Sequence, residues 1–442
     1  MPNYLESELD SPKVEISAQP RSSAELRKIA TASFVGTVIE YYDFLIYGYA
    51  ASLVFGKVFF PALGQSASTI ASFATLGVAF VARPIGGVVF GHLGDRLGRK
   101  RALTLTLFLM GAATFLVGIL PTADQIGAFA PVLLVVLRII QGVAAGGEWS
   151  GAALFVAESA PKRRRGFWAS AASSGTPVAV VLAAGTFLIV HSWVGDDAFE
   201  AYGWRIPFVA SAVLIVIGLW IRMRTEETVA FQLMQESDSP VRAPILEAFR
   251  MAWRRMLLAA GLATTGSAMV YVGISYLTNY GAQTLGYGSK AVLIASVFGG
   301  IGLAVGTIIG AVASDTVGRR LVIVMSIIGS MIWSPLIFVI ADRTGTVVFA
   351  IVVAVSTMLA GLTFGPMGAY LSELFGTQYR YSAVSFSYNG ANVIGGAVTP
   401  LVGVAVTAAA SGLVFGCMLI GLCVISLVCA LALPETLSRQ DL

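Results

Sequence analysis

Long apolar blocks separated by short polar stretches run along almost the whole chain. Each block is about as long as the roughly 20 residues that an α-helix needs to cross the hydrocarbon core of a bilayer. Breaks at charges, prolines and polar clusters divide the chain into twelve predicted transmembrane helices. Their spans are 29–55, 68–92, 102–121, 128–157, 167–191, 204–223, 256–282, 290–313, 321–341, 346–372, 381–408 and 411–433. The pattern predicts an all-α polytopic membrane protein.

Composition removes most other classes of protein. Apolar residues make up 57% of the 442 residues and charged residues 12%, whereas an average soluble domain is about 25% charged. A cytosolic enzyme, a secreted disulfide protein and a nucleic-acid-binding protein are therefore poor interpretations. The three cysteines form no CxxC pair, and two histidines are too few for a membrane haem protein with paired axial ligands.

The basic residues set the expected orientation. Most of the 28 Lys and Arg residues fall in the N-terminal tail and in alternate loops. The positive-inside rule then predicts that both termini are cytoplasmic. Residues 1–28 are polar and mixed in charge, so we expect a disordered tail and no signal peptide.

An internal repeat relates the two halves of the chain. Asp95, Gly98, Arg99 and Lys100 recur at one constant offset as Asp315, Gly318, Arg319 and Arg320. A second echo has one spacing from acid to base, in the pairs Glu158 with Arg165 and Glu373 with Arg380. Such duplication of six-helix halves places a substrate site between the halves near the midplane.

The repeat defines the predicted domains. They are a disordered N-terminal tail (1–28), an N-terminal six-helix bundle (29–223), a cytoplasmic linker (224–255), a C-terminal six-helix bundle (256–433) and a cytoplasmic C-terminal tail (434–442).

Several motifs resemble those of the major facilitator superfamily. They are the loop Gly91–Arg101 with its echo, and Leu137-Arg138-x-x-Gln141-Gly142 followed by Gly146-Gly147-Glu148. Other motifs resemble its metabolite:H+ symporter family, whose members carry shikimate, α-ketoglutarate, citrate or proline/betaine. These motifs are Glu40-Tyr41-Tyr42-Asp43-Phe44, Ala82-Arg83-Pro84-Ile85-Gly86-Gly87 and Ser372-Glu373-Leu374-Phe375 with Arg380-Tyr381-Ser382. Tyr41 is a departure, because many relatives carry Trp there.

The resemblance implies two pseudo-symmetric six-helix bundles in the cytoplasmic (inner) membrane, with polar loops that act as a gate. Carboxylates and arginines there can form charge-assisted hydrogen bonds that latch helix pairs together and hold the outward-facing state. The alternative is that these loops only obey the positive-inside rule. The predicted gate residues are Gly91, Asp95, Arg96, Gly98, Arg99, Lys100, Glu158, Arg165, Asp315, Gly318, Arg319, Arg320, Glu373 and Arg380.

Three polar side chains share one face of the first helix: Glu40, Asp43 and Tyr47. Counting from residue 30 at about 1.5 Å per residue puts Glu40 roughly 15 Å deep and Asp43 roughly 20 Å deep. Ionisable groups at this depth are costly and usually line a water-filled cavity. We expect a role in proton coupling or substrate binding, the alternative being a structural hydrogen bond.

The fourth helix carries Arg138, Gln141 and Glu148 on one stripe. An arginine facing a cavity can bind a substrate carboxylate with both arms, or exchange partners with a protonatable acid. The alternative is a buried ion pair that locks the first helix to the fourth. For Arg83 the favoured expectation is a structural one, an anchor at the end of the second helix.

The second half offers polar groups and almost no deep charge. Tyr271 and Asn279 lie on the seventh helix, and Asn389 and Asn392 share a face of the eleventh. Such groups can orient a small hydrophilic solute, although hydrogen bonding between helices explains them equally well. The tandem glycines Gly302, Gly306 and Gly310 predict close helix packing.

Together these features predict a secondary active transporter that imports a small organic acid or zwitterion together with H+. The chain has no GxxxxGK[ST] motif, so we expect a proton gradient to supply the energy. No cofactor is expected. The expected partners are a small metabolite, H+ and the lipid bilayer, with no nucleic acid, and the expected state is a monomer. The alternatives are an H+-antiporting exporter of small organic or aromatic compounds, a uniporter, or a receptor without transport.

Overall fold

The computed structural model describes residues 23–97, 99–146, 148–224, 244–376 and 379–437. At residues 91–92, 94–97, 99–103, 162, 221–224 and 244–246 only the backbone is described.

Twelve long helices, α1 to α12, form this part of the chain. They are α1 Ser23–Ala50, α2 Gln65–Leu97, α3 Arg99–Ile119, α4 Phe129–Ala145 continued by Glu148–Ser159, α5 Arg165–Val194, α6 Arg205–Arg224, α7 Pro244–Tyr271, α8 Ser289–Val317, α9 Arg319–Ala341, α10 Thr346–Leu374, α11 Arg380–Asn392 and α12 Gly412–Ala432. Ten of them are long and apolar enough to cross a membrane, where the spans of α1, α7 and α11 include the helical segments that continue them to Phe59, Thr284 and Ala409. α6 completes a span with the short segment Asp196–Gly203, bent by 53°, and α3 has the shorter apolar stretch Thr104–Ile119. The predicted all-α fold is confirmed.

Helices α1, α7 and α11 continue through wider π-helical turns. These turns are Ala51–Phe55 after α1, Val272–Tyr276 and Tyr280–Thr284 after α7, and Val393–Val398 after α11. π-Helical turns are rare and are frequent at functional sites. All three interrupted helices contribute residues to the centre of the molecule described below.

The predicted helix positions agree closely with the observed ones, with α7 as the main exception. It begins at Pro244, well before the predicted 256, because a kink at Ala252 (φ −137°, ψ 16°) joins a preceding helical segment to the span. Residues 244–255 of the predicted linker are therefore helical, and its residues 225–243 lie outside the described chain. Of the predicted N-terminal tail, residues 23–28 belong to α1 and the others also lie outside.

Within each half, glycines bring an equivalent pair of helices into backbone contact. A Cβ atom on Gly302, Gly306 or Gly310 of α8 would lie 2.0–2.5 Å from carbonyl oxygens of α10. In the first half, a Cβ on Gly86 of α2 would lie 1.9 Å from the carbonyl oxygen of Val143 on α4. The predicted close packing at the tandem glycines is confirmed, and the same device recurs in both halves.

Candidate functional site

A cluster of charged and aromatic side chains lies buried between the helices. We call Glu40, Asp43 and Tyr47 of α1, Arg83 of α2 and Arg138 of α4 the central cluster. Each side chain is at most 2% exposed. Ionisable groups within membrane spans are expensive to bury and usually serve function. The structure thus brings together residues that the sequence analysis placed on separate helices.

Arg83 forms the first pair of this cluster. Its Nη2 lies 3.8 Å from Oε1 of Glu40. Its guanidinium carbon lies 4.1 Å from the ring centroid of Phe44 and 4.8 Å from that of Phe80. We expected this arginine to anchor the helix end, but it sits in the centre, where the close approach of α2 to α4 holds it.

Arg138 is held by a short chain of hydrogen bonds. Its Nη1 donates to Oε1 of Gln141 over 2.9 Å, and Nε2 of Gln141 donates to Oγ1 of Thr114 over 2.7 Å. Its guanidinium carbon lies 3.7 Å from the ring centroid of Tyr47. Its Nε and Nη2 are buried without a hydrogen-bond partner among the described residues. The arginine is therefore oriented on one side and has free donors on the other. The sequence analysis did not identify Thr114, which lies on α3.

Asp43 is the least satisfied group of the cluster. Both carboxylate oxygens are buried and lack a hydrogen-bond partner among the described residues. Arg138, Thr114 and Glu148 are the polar groups that face this carboxyl group. A buried acceptor without a partner costs folding free energy, so its retention points to a role beyond folding.

The second half contributes aromatic rings to the opposite wall. Tyr388 of α11 stacks on Trp149 of α4 with ring centroids 3.6 Å apart, and its hydroxyl forms a hydrogen bond with the hydroxyl of Tyr41. Tyr271 of α7 packs edge-to-face on Phe80, and its hydroxyl lacks a hydrogen-bond partner within the described chain. The departure at Tyr41 thus supplies a hydroxyl that links the two halves.

The three predicted asparagines form hydrogen bonds between helices or along one helix. Asn389 donates to the carbonyl oxygen of Gly146 over 2.8 Å, at the break in α4. Asn392 accepts from Ser267 Oγ over 2.7 Å, and Asn279 donates to the carbonyl oxygen of Ser52 over 3.3 Å. Each of the three side chains thus forms a hydrogen bond to a segment outside its own helix.

A second network joins the halves at the end of the bundle that holds Arg165, Arg319 and Arg380, which we call the arginine-rich end. At this end, the arginine of each repeat pairs with the acid of the other repeat. Arg165 Nη1 lies 3.4 Å from Oε1 of Glu373, and Arg380 Nη1 lies 2.8 Å from Oε1 of Glu158. Each half therefore supplies the acid for the arginine of the other.

Asp315 binds the start of α5. Its two carboxylate oxygens accept from the backbone N–H groups of Gly166 and Phe167, each over 2.9 Å, and Arg319 Nη1 lies 2.5 Å away. A helix N-terminus favours a carboxylate because its first N–H groups are unpaired and its dipole is positive there. A Cβ on Gly166 would lie 2.8 Å from Oδ1 of Asp315, so glycine permits this contact.

The C-terminal segment Pro434–Leu437 completes the network, which the sequence analysis did not anticipate. Glu435 accepts from the backbone N–H groups of Arg319 and Arg320 over 2.9 and 3.0 Å. Thr436 Oγ1 donates to Oε2 of Glu373 over 2.6 Å. Gly318 adopts φ 118° beside Glu435, a conformation that favours glycine.

The corresponding loop of the first half is described mainly by its backbone. Gly98 lies outside the described residues, and Gly91, Asp95, Arg96, Arg99 and Lys100 are described by their helical backbone alone.

Contacts also close the opposite end of the bundle. Ser52 Oγ donates to the carbonyl oxygen of Ser275 over 2.9 Å, and a Cβ on Gly48 would lie 2.7 Å from Ser275 Oγ. Beyond this contact lies a cavity of about 450 Å³ whose lining includes Lys57, Gln65 and Ser68. The two halves are therefore in contact both at the arginine-rich end and at the opposite end.

Known proteins are similar to this chain over most of its length. Residues 33–400 match the family model described as Major Facilitator Superfamily. The shikimate transporter of Escherichia coli (strain K12) is 39% identical over 400 residues, 87% of this chain and 88% of that protein. The proline/betaine transporter of Salmonella typhimurium is 33% identical over 426 residues, 94% and 85% of the two chains. The partially occluded inward-open structure of the xylose transporter XylE from E. coli superposes with a TM-score of 0.72 at 17% identity, over 95% and 100% of the two chains.

Proposed function

Because this chain belongs to the major facilitator superfamily and to its metabolite transporters, we propose that it is a proton-coupled symporter that imports a small organic acid or zwitterion by alternating access. As a membrane transporter of this superfamily it is not an enzyme. The proton coupling, the direction of transport and the substrate are the proposed parts.

The observation that carries the proposal is the buried Asp43 carboxyl group, which has no hydrogen bond among the described residues and interacts electrostatically with Arg138, whose Nε and Nη2 donors are unused. Because both oxygens of Asp43 are buried without a hydrogen bond among the described residues, the neutral carboxylic acid fits these surroundings better than the ion. An ionised Asp43 would draw on the free donors of Arg138. Protonation of Asp43 therefore leaves Arg138 available for a substrate carboxylate, so that proton and substrate binding favour each other.

The surroundings of Arg138 support a small carboxylate as the substrate. Its Nε and Nη2 are free within the described chain, and a guanidinium matches a carboxylate with two parallel hydrogen bonds. The rest of the substrate would lie against an aromatic wall formed by Trp149, Tyr388 and Tyr41. The relatives are named as transporters of shikimate and of proline/betaine. Each of these compounds carries one carboxylate and is a candidate substrate.

The arginine-rich end is proposed to be the cytoplasmic gate, closed in this structure. The positive-inside rule places it and both termini in the cytoplasm. The ion pairs of Arg165 with Glu373 and of Arg380 with Glu158 cross between the proposed bundles 29–223 and 256–433. Together with the hydrogen bonds from the start of α5 to Asp315, they would have to break for inward opening. We propose a monomer in the cytoplasmic membrane, where alternating closure of the two ends gives access to the central cluster.

The test is uptake of labelled shikimate, proline and glycine betaine into proteoliposomes, with and without an inside-alkaline pH gradient. We expect gradient-dependent accumulation of one substrate, lost in Asp43→Asn and retained in Asp197→Asn, which changes an exposed acid at the opposite end. Uptake that ignores the gradient would indicate a uniporter. Extrusion driven by inward proton flow would indicate an exporter.

A further inference from the structure

The first turns of α7 form an elbow, which we define as residues Phe249 to Leu257. The backbone leaves helical geometry at Ala252. Phe249 packs edge-to-face on Phe386 of α11, and the carbonyl oxygen of Met256 accepts from the neighbouring Ser387 over 3.1 Å. A straight helix would separate residues 249 and 256 by about 10 Å along its axis. Since both contact the same turn of α11, the segment before Ala252 turns aside from the direction of the span.

The elbow has a buried side and an exposed one. Ala248, Ala252 and Met256, spaced i,i+4, are buried against the bundle. Arg250, before the kink, and Arg254, after it, are both exposed, and Trp253 and Leu257 after the kink are about half exposed. The outer surface of the elbow therefore carries both exposed basic side chains and exposed apolar ones.

The basic residues of this surface have no acidic partner within the described chain. Arg250, Arg254 and Arg255 are exposed and form no ion pair among the described residues, and Glu247 is the one acid between Pro244 and Leu257. In contrast, Arg165, Arg319 and Arg380, at the same end, each have a carboxylate within 3.5 Å. Within the described chain the arginines of the elbow therefore face no carboxylate, which favours an anion supplied from outside the protein.

The depth of the elbow identifies the source of that anion. Phe249 lies level with Phe386, close to the start of α11 at the arginine-rich end, and the apolar span of α7 follows directly. Tryptophan prefers the boundary between headgroups and acyl chains. The guanidinium carbon of Arg254 lies 5.4 Å from the ring centroid of Trp253, so basic and interfacial groups occupy one level.

We propose that Arg250 and Arg254 bind the phosphate of an anionic phospholipid whose glycerol and upper acyl chain pack against Trp253 and Leu257. Guanidinium groups bind phosphate oxygens through charge-assisted hydrogen bonds, and basic residues beside a span attract anionic lipids. The bound lipid would hold the start of α7, the helix that carries Tyr271 to the central cluster. This inference is independent of the substrate and of proton coupling.

The test compares binding of spin-labelled phosphatidylglycerol and phosphatidylcholine to the purified full-length protein. The double variant Arg250→Gln/Arg254→Gln should lose one preferred phosphatidylglycerol per protein, with affinity reduced about 30-fold if each arginine contributes about fivefold. Arg163→Gln/Arg164→Gln, two exposed arginines at the same end, is the matched control and should keep the preference. Arg250→Lys/Arg254→Lys should retain most of it, which tests the site even if the Gln variant does not fold.

Two outcomes would overturn the proposal. An equal loss in the control variant would show a general effect of surface charge and no site at the elbow. Displacement of the labelled lipid by inorganic phosphate as effectively as by short-chain phosphatidylglycerol would identify a free-phosphate site instead.

Discussion

The central cluster and the arginine-rich end both bury charge between helices, but they satisfy it differently. At the arginine-rich end, Arg165, Arg319 and Arg380 each have a carboxylate within 3.5 Å, supported by N–H and hydroxyl donors. In the centre, Arg83 and Glu40 approach only to 3.8 Å, and Asp43 and Arg138 have unused acceptors and donors among the described residues. A network whose donors and acceptors are all paired stabilises one arrangement of helices. A network with unpaired donors and acceptors can bind a ligand. The first is suited to a gate and the second to a binding site.

The two regions also draw differently on the two halves of the chain. At the arginine-rich end each half supplies the acid for an arginine of the other half. In the centre the charges of the cluster come from α1, α2 and α4, and the second half presents Tyr271 and Tyr388. We infer that the first half binds the charged part of the substrate and the second half closes over it.

The largest expected effect is that of Arg138→Lys, which tests the incomplete centre. Lysine keeps the charge but cannot bond Gln141 and a carboxylate through one planar fork. Loss of two charge-assisted hydrogen bonds at about 1.5–3 kcal/mol each predicts a fall in kcat/KM for uptake of about 100-fold or more. Uptake kinetics in proteoliposomes, with protein amount and melting temperature as controls, measure it. Near-normal uptake would mean that Arg138 only pairs α1 with α4.

Glu373→Gln tests the closed network. The carboxylate of Glu373 is 4% exposed and faces Arg165, Arg319 and Thr436. Glutamine is neutral, so two buried arginines lose the negative charge of their partner. We expect this to destabilise the closed gate by about 2 kcal/mol, which shifts the equilibrium about 30-fold towards opening. Spin-label distances between Arg164 and Thr316, in a background without the three cysteines, report this shift. An unchanged distance distribution would remove Glu373 from the gate.

Thr114→Val probes how the centre is oriented. The substitution keeps the shape of the side chain but removes the acceptor for Gln141, whose amide positions Arg138. Loss of one neutral hydrogen bond, about 1 kcal/mol, predicts a rise in KM of about fivefold with a smaller change in kcat. Thr114→Ser should restore the KM, which a purely structural role for the methyl group would not predict.

The sequence predicts those features of the fold that depend on local pattern. Apolar blocks locate the helices, and the depth of Asp43 and Arg138 marks them as functional candidates. The repeat also singles out Glu158, Arg165, Glu373 and Arg380, because acid and base recur together. α7 starts earlier than predicted because its amphipathic first turns continue into the span through the kink at Ala252.

Other parts of the site depend on how helices rotate against one another, which periodicity does not reveal. Arg83 reaches the centre because Gly86 lets α2 approach α4. Thr114 is one of several threonines on α3, and only packing selects it as the partner of Gln141. Glu435 lies far along the chain from the α9 N-terminus that it caps.

The smallest expected effect is that of Glu158→Gln, and it sharpens the comparison within the gate itself. Glu158 is the repeat equivalent of Glu373, but its side chain is 48% exposed against 4%, and Arg380 is its ion-pair partner in the described chain. Exposed ion pairs contribute about 0–1 kcal/mol, so the gate should shift towards opening by about fivefold at most. High salt should reduce this difference and have less influence on Glu373→Gln, because screening acts mainly on exposed charge. Equal effects of the two variants would mean that burial does not set the strength of these latches, and that the two halves release the gate symmetrically.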